Sequence, residues 1–172
     1  MDGRYMAMKQ TNFEKSLIKG EVGEKIVKDI FERQGYVFYN PVTPGSHPFD
    51  FIAFKDFGDS EVETKIIIGD VKTKPRRSKY KDTGINLNCY NIYKNLSKTL
   101  QSRFMLFFVD ENEGKIYGNT LKKLDEEFVA DGQKYPWKWI AVGGNDIIYW
   151  HLDSMKTYHT LTEEEIKLIK HS

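Results

Sequence analysis

The spacing of apolar residues predicts alternating helices and strands in the first half of the chain. Apolar side chains at helical spacing predict an amphipathic helix from about Lys19 to Gln34, ended by Gly35. Strand-like segments follow, separated by a proline-rich turn and a polar hairpin loop. The predicted strands are Tyr36–Asn40, Phe49–Phe54 and Lys65–Thr73, the turn is Pro41–Pro48 and the loop is Lys55–Thr64. The third strand is the most apolar, so we expect it in the centre of a sheet.

The second half continues with a polar stretch and then with further helices and strands. A basic stretch, Lys72–Lys81, ends at the turn signal Asp82-Thr83-Gly84. The predicted elements that follow are a helix at Asn88–Gln101, a strand at Arg103–Val109, a turn at Glu111–Gly114, a strand at Lys115–Tyr117, a short helix at Leu121–Phe128, a hairpin of Trp139–Val142 with Ile147–Trp150, and a last helix opened by the capping box Thr162–Glu165. This order predicts an α/β sheet with helices on its faces.

Composition narrows the class of protein. The chain has 172 residues, 40% of them apolar, with one cysteine and no internal repeat, which fits one domain. The longest apolar run, Phe104–Val109, is far shorter than the ~20 residues of a membrane span, so we expect a cytoplasmic protein. Cys89 has no partner in the chain, which excludes an internal disulfide and a multi-cysteine zinc site.

The overall charge argues against a protein that coats nucleic acid by charge alone. The formal net charge is +1 and the isoelectric point is about 7.7. The average hides the basic stretch, which holds six cations and no acid. Its position after the third strand favours contact with a phosphate backbone over a merely solvated loop. The residues predicted to contact nucleic acid are Lys74, Arg76, Arg77, Lys79, Tyr80 and Lys81.

The candidate chemistry lies at the end of the third strand. Four acid-x-Lys triplets occur, but only Asp70-Val71-Lys72 lies within a strongly apolar strand, where charge is costly. Strand alternation places Asp70 and Lys72 on one face. If the second and third predicted strands form a hairpin, Asp50 converges with Asp70. The bland alternative is an ordinary salt bridge at a strand end.

Two neighbouring carboxylates repel each other unless a cation lies between them. Oxygen ligands without clustered histidine or cysteine suit Mg²⁺, or Mn²⁺ as a substitute, better than zinc. We expect Asp50 and Asp70 to hold the ion, with the carbonyl of Val71 as a third ligand. Lys72 would orient a water molecule or stabilise charge on a phosphate.

The first helix supplies one more acid. Glu24 lies at the border of the packing face and can point inward, whereas Glu21 lies further toward solvent. Gly20 and Gly23 fall on the packing side, so we expect both to let the helix approach the sheet. The alternative for Glu24 is a solvated residue paired with Lys28.

These residues resemble the PD-(D/E)XK nuclease superfamily. The matching segments are Gly20–Glu24, Pro48-Phe49-Asp50 and Ile67–Thr73, and their layout is most similar to Holliday-junction-resolvase-like and small restriction-like nucleases. The resemblance implies a restriction-endonuclease-like three-layer α/β core with a central mixed sheet flanked by helices. It places that core at residues 13–110 of a single domain spanning 1–172, with a C-terminal elaboration at 111–172.

The resemblance also implies Mg²⁺-dependent hydrolysis of DNA phosphodiesters by Glu24, Asp50, Asp70 and Lys72. The pattern departs from the family in the residue between the proline and Asp50, in aspartate at position 70, in the near-neutral charge and in the long tail. Such nucleases often act as dimers, which leaves a homodimer open. The main alternative is a nucleic-acid-binding accessory factor that uses the same fold without cleavage. We interpret Tyr90, Tyr93 and Cys89 as packing residues and His47 as a structural turn residue.

Overall fold

The computed structural model describes residues 3–41, 47–55 and 65–172, with the backbone alone for residues 3–13 and 65. Most of the predicted proline-rich turn and of the predicted hairpin loop, at residues 42–46 and 56–64, lies outside the described residues. The helices are α1 (Gly3–Arg33), α2 (Leu87–Thr99), α3 (Leu121–Leu124) and α4 (Glu163–His171). The strands are β1 (Val37–Tyr39), β2 (Phe51–Lys55), β3 (Lys65–Thr73), β4 (Asp82–Asn86), β5 (Arg103–Asp110), β6 (Lys115–Thr120), β7 (Phe128–Ala130), β8 (Gln133–Tyr135), β9 (Trp137–Trp139), β10 (Ile147–His151) and β11 (Lys156–Thr160).

A six-stranded mixed sheet forms the centre of the fold, in the order β1-β2-β3-β5-β6-β11. The pair β3–β5 is parallel and its neighbours are antiparallel. The α2 helix lies between β3 and β5 in the chain, as a parallel connection requires. The structure confirms the predicted α/β class with a central mixed sheet flanked by helices. The predicted order of helix, three strands, helix and strand is interrupted by one further strand, β4, between β3 and α2.

The two faces of this sheet carry separate hydrophobic cores. One core joins α1 and α4 to the side chains of Ile67, Val71 and Phe107. The opposite core joins α2, β4 and β10 to Ile68, Phe104, Leu106 and Phe108. Strand alternation explains the division, because successive residues of β3 and β5 point to opposite faces. A smaller sheet of β4-β10-β9 covers the α2 side, and β7 and β8 form a separate two-stranded sheet that contacts β4 and β10.

Several predicted boundaries differ from the structure. The α1 helix begins sixteen residues before Lys19; helix formers without proline precede that residue, and a formed helix extends through them at little cost. The Asp82-Thr83-Gly84 turn is wrong, because these residues begin the buried strand β4. The short third helix ends at Leu124, and the hairpin strand before β10 ends at Trp139. The β3 bounds and the α4 capping box are confirmed.

The reason for the β4 error is tertiary. Thr83 is buried beside Ile85, facing the α2 core, and Asp82 is neutralised by a cation from the preceding loop.

Within residues 3–41, 47–55 and 65–172, no helix combines the length and apolarity needed to cross a membrane.

Candidate active site

The two predicted carboxylates lie where β2 and β3 meet. Phe51 pairs with Gly69 in the antiparallel ladder. The residue before Phe51, Asp50, therefore lies opposite the residue after Gly69, Asp70. The Asp50 amide donates to the carbonyl of Gly69 at 2.9 Å, and the Asn40 side chain donates to the Asp50 carbonyl at 3.2 Å. The hairpin geometry therefore brings the two acids together and fixes the backbone beneath them.

Asp70 is a buried carboxylate with an incomplete set of partners. Its side chain is 4% exposed, and Oδ1 accepts hydrogen bonds from Tyr93 Oη at 2.8 Å and Lys72 Nζ at 2.9 Å. Oδ2 is 2.8 Å from the same ammonium group but has no hydrogen-bond partner among the described residues. A buried anionic oxygen without a hydrogen bond is costly, so this atom is a candidate ligand for a cation.

Asp50 experiences both burial and repulsion. Burial and then the charge of Asp70 raise its pKa to about 7, although a hydrogen bond from the Val71 amide at 2.7 Å opposes the shift. Burial alone would lower the pKa of Lys72, but Asp70 raises it overall. The acids of this site thus exceed the positive charge that the chain supplies near them.

The α1 helix places Glu24 beside these groups. Burial and then the charge of Asp70 raise the Glu24 pKa. Gly23 allows the close approach, because a Cβ atom there would lie 1.9 Å from Thr73 Oγ1. The expectation for Gly20 is wrong: a Cβ atom there would meet nothing within 4 Å, since Gly20 lines open space. Glu21 is exposed, as expected.

A cleft of about 590 Å³ opens over this site. Asp70 does not line the cleft, but it contacts Lys72, which does. The cleft is lined by Ser16, Leu17, Gly20, Glu21, Glu24, Asn40, Pro41, His47, Phe49, Asp50, Val71, Lys72, Thr73 and Lys74. Within the described ranges, then, all four predicted catalytic residues line one cleft or contact a residue that lines it.

The acids nevertheless do not form a closed metal cage. Across the described parts of the chain, no three His, Cys, Asp or Glu side chains converge as ligands for one ion. The reason is that α1 packs on one face of β3, whereas Asp70 points to Tyr93 on the other. Asp50 and Asp70 still fit a hard cation, because both offer carboxylate oxygens. Asp70 Oδ2 accepts no hydrogen bond from the described residues, and the charge of Asp70 repels the Asp50 carboxylate.

The basic stretch divides into residues inside and outside the cleft. Lys74 lines the cleft, and its ammonium group donates to the Gly84 carbonyl. Burial and then the charge of Lys72 lower the Lys74 pKa to about 8. Lys74 is therefore the predicted nucleic-acid-binding residue that lies nearest to the candidate chemistry.

The remaining residues of the basic stretch lie outside the cleft lining. Arg76 pairs with Glu113 at 2.6 Å, Lys81 pairs with Asp153 at 2.6 Å, and Arg77 pairs with buried Asp82. Tyr80 lies against the Arg77 guanidinium, 4.3 Å from its carbon to the ring centre, and Lys79 is exposed. Much of the positive charge in this stretch is thus already compensated inside the protein. Contact with nucleic acid remains a prediction for these residues.

Three groups near the site were not singled out by sequence. Tyr93 holds Asp70, Asn40 holds the Asp50 backbone, and the buried Thr73 hydroxyl has no hydrogen-bond partner among the described residues. Tyr93 occupies an apolar helix face, where only its hydroxyl distinguishes it from a packing residue. Cys89 is partly buried and near enough to Lys72 to act on its pKa, although the two are seventeen positions apart.

The chain can be compared with protein families, with curated proteins and with solved structures. No family model and no curated protein matches the chain. The chain is similar to the 1.6 Å structure of Hjc, a Holliday junction resolvase from the archaeal hyperthermophile Archaeoglobus fulgidus. The TM-score is 0.47 and the sequence identity 11%, over 75% of this chain and 87% of that one. The assignment of the site rests on the chain's own residues.

Proposed function

We propose that this protein is a metal-dependent endonuclease that hydrolyses DNA phosphodiester bonds. The observation that supports the proposal is the convergence of Asp50, Asp70 and Lys72 at the junction of β2 and β3, with Glu24 beside them under one cleft. Two acids that repel each other and a lysine that faces them are costly to bury for stability alone. A phosphodiester reaction uses all three.

In this proposal Asp50 and Asp70 hold Mg²⁺, or Mn²⁺ in its place, and the Val71 carbonyl is a third ligand. When bound, the ion supplies charge for the phosphate oxygens and acidifies a water molecule. Lys72 orients that water or stabilises the negative charge that grows on the phosphate. Glu24 supports the site from α1, and Lys74 binds a neighbouring phosphate.

Cleavage of supercoiled plasmid in Mg²⁺ or Mn²⁺ tests this assignment. The wild-type protein should nick the plasmid, and a chelator should stop it. Asp50→Asn keeps the size of the side chain and an oxygen that can accept from the Val71 amide, but it removes the charge. We expect it to lose nicking and to bind Mn²⁺ more weakly by calorimetry.

The matched control is Asp153→Asn, which removes an exposed aspartate paired with Lys81 outside the cleft lining. This variant should nick like the wild type. Equal nicking by Asp50→Asn and wild type would overturn the assignment, because contamination or a different site would then account for the cleavage.

One observation favours a second candidate function. Lys72 contacts both oxygens of Asp70 and Tyr93 holds one of them, so this acid is partly neutralised by the chain itself. A protein of this kind would bind nucleic acid as an accessory factor without cutting it. Plasmid binding with no cleavage in either Mg²⁺ or Mn²⁺ would favour that function.

A further inference from the structure

The outer face of the β4-β10-β9 sheet carries a stacked row of aromatic rings around one guanidinium. The Trp137 and Tyr149 rings are 5.4 Å apart and inclined by 25°. The Arg77 guanidinium carbon lies 4.0 Å from the Tyr149 ring centre and 4.3 Å from that of Tyr80. Trp139 extends the row, since it lies two residues beyond Trp137 on the same strand face. We call these five residues the aromatic face.

Local sequence and pairing explain why the rings lie outward. Ile148 and Trp150 of β10 are fully buried in the α2 core, so the alternating residues Ile147 and Tyr149 face away from it. Gly84 pairs with Tyr149, and a Cβ atom on Gly84 would lie 2.7 Å from the Tyr149 ring. The glycine therefore lets the tyrosine lie across β4, under Arg77.

The two ends of the aromatic face are exposed. Tyr80 is 54% exposed and Trp139 is 47% exposed. The loop after Trp139 adds two exposed apolar residues, Ile140 at 65% and Val142 fully exposed. The loop is nevertheless tied down, because the Asp146 side chain accepts from the Ala141 amide and its carbonyl accepts from the Leu87 amide. Exposed large rings that are held in place mark an interaction surface.

Charge and position indicate what covers this surface. Lys79, next to Tyr80 in the chain, is exposed at its margin, and the acid beneath Arg77, Asp82, is fully buried and paired. The face is also connected to the cleft, because Lys74 reaches from the cleft lining to the carbonyl of Gly84, the residue paired with Tyr149. Flat rings beside cations and next to a phosphate-directed cleft match single-stranded nucleic acid, whose bases stack and whose backbone is anionic.

We propose that the aromatic face stacks on unpaired nucleobases of the substrate, with Tyr80 and Trp139 as the two outer contacts. This inference deepens the proposed function by naming the substrate class. The protein binds DNA that carries a single-stranded segment, such as a flap, gap or branch, in preference to continuous duplex. Arg77, Trp137 and Tyr149 hold the platform rather than contact the bases directly.

Binding without catalysis tests the inference. Fluorescence anisotropy with labelled oligothymidylate, an abasic oligonucleotide of the same length, and a duplex is measured in chelator. The abasic probe keeps the phosphates and loses the bases. We expect oligothymidylate to bind about tenfold or more tightly than the abasic probe, because each stacked base contributes measurably to affinity. Quenching of tryptophan fluorescence should accompany binding and be reduced in Trp139→Phe.

Variants of the two exposed rings complete the test. Tyr80→Ala and Trp139→Ala should each weaken oligothymidylate binding about tenfold, whereas Tyr80→Phe, which keeps the ring, should not. Trp139→Ala leaves the Arg77 stack intact, so its effect is not a loss of folding. Equal affinity for the two single-stranded probes, or unchanged affinity in both alanine variants, would overturn the inference and leave the face for a protein partner.

The outcomes separate this inference from the proposed function. Base-dependent binding that requires Tyr80 and Trp139, in a wild-type protein that does not nick plasmid, supports the aromatic face and contradicts the nuclease. Plasmid nicking that requires Asp50, with no base-dependent binding, supports the nuclease and contradicts the aromatic face.

Discussion

Two buried aspartates in this protein each pair with one cation and one tyrosine, but only one of them accepts hydrogen bonds from the described residues on both carboxylate oxygens. Asp82 is fully buried, and its two oxygens accept from the Arg77 side chain and from Tyr135 Oη at 3.1 Å. Asp70 is paired with a lysine and a tyrosine, yet Oδ2 has no hydrogen bond among the described residues. Both acids belong to strands next to the α2 core.

The two aspartates differ in the cation that faces them and in their position relative to the cleft. A guanidinium offers a planar fork that satisfies both oxygens of a carboxylate, whereas a single ammonium is a point charge. Asp82 is sealed under Arg77, whereas Asp70 contacts Lys72 of the cleft lining and lies beside a second acid, Asp50. The complete pair is suited to holding β4 in place, and the incomplete pair is suited to receiving a ligand.

Asp70→Asn should have the largest effect. Plasmid nicking should fall about 1000-fold or more, since the variant loses a proposed metal ligand at the reacting phosphate. Stability in urea should fall less than in Asp82→Asn, because the loss of the Lys72 ion pair is offset by relief of the repulsion on Asp50. Nicking within about tenfold of wild type would show that the incomplete pair is structural too.

Asp82→Asn should have the opposite effect. Removing this charge leaves Arg77 without its carboxylate, and we expect a loss of about 3 kcal/mol in the free energy of unfolding. Nicking per folded molecule should remain at the wild-type level. The measurement is urea denaturation followed by tyrosine and tryptophan fluorescence. A loss below about 1 kcal/mol would mean that the pair contributes no more than a surface ion pair.

The pH dependence of stability should distinguish the incomplete pair. The Asp50 pKa is about 7 in the folded protein against an ordinary value of 3.8, so the folded state binds this proton more tightly than the unfolded state. Between pH 4 and 7, the contribution of Asp50 to stability therefore falls as pH rises, in protein free of divalent metal. The stability of the wild type relative to Asp50→Asn, measured by urea denaturation across this window, should therefore fall as pH rises. A constant difference would contradict the raised pKa.

The two tyrosines should give the smallest effects. Tyr93→Phe and Tyr135→Phe each remove one hydroxyl that donates to a buried carboxylate, and each should cost about 1.5 kcal/mol. Tyr93→Phe should also change nicking, because it removes one of the two donors to Asp70 Oδ1, whereas Tyr135→Phe should not. Equal nicking in both variants would show that Tyr93 serves packing alone.

The sequence was most informative where the pattern of residues within one strand is enough to predict where its side chains lie. The apolar run of β3 predicts a central strand, and its alternation places Asp70 and Lys72 on one face. The β2–β3 hairpin then leaves little choice about Asp50, since antiparallel register fixes which residues lie opposite each other. These features are local, so a pattern of residues is enough to predict them.

Sequence failed where the environment comes from distant segments. The Asp82-Thr83-Gly84 segment has turn composition, but Arg77 neutralises Asp82, Tyr135 donates a hydrogen bond to it, and the crossing Tyr149 ring requires Gly84. The basic stretch is continuous in sequence, yet acids from three separate places, Asp82, Glu113 and Asp153, pair with its cations. Apart from Arg77 and Asp82, which are five positions apart, these partners lie far from each other in the sequence.

The sequence by itself determined the α/β order, the central strand and the set of acids and lysine at its end. Only the tertiary structure decided that Tyr93 holds Asp70, that the helix carrying Glu24 packs on the other face of β3, and that the aromatic face is assembled around Arg77. The physical reason is that periodicity fixes the direction of a side chain on its own element, whereas its partners depend on which elements pack against it.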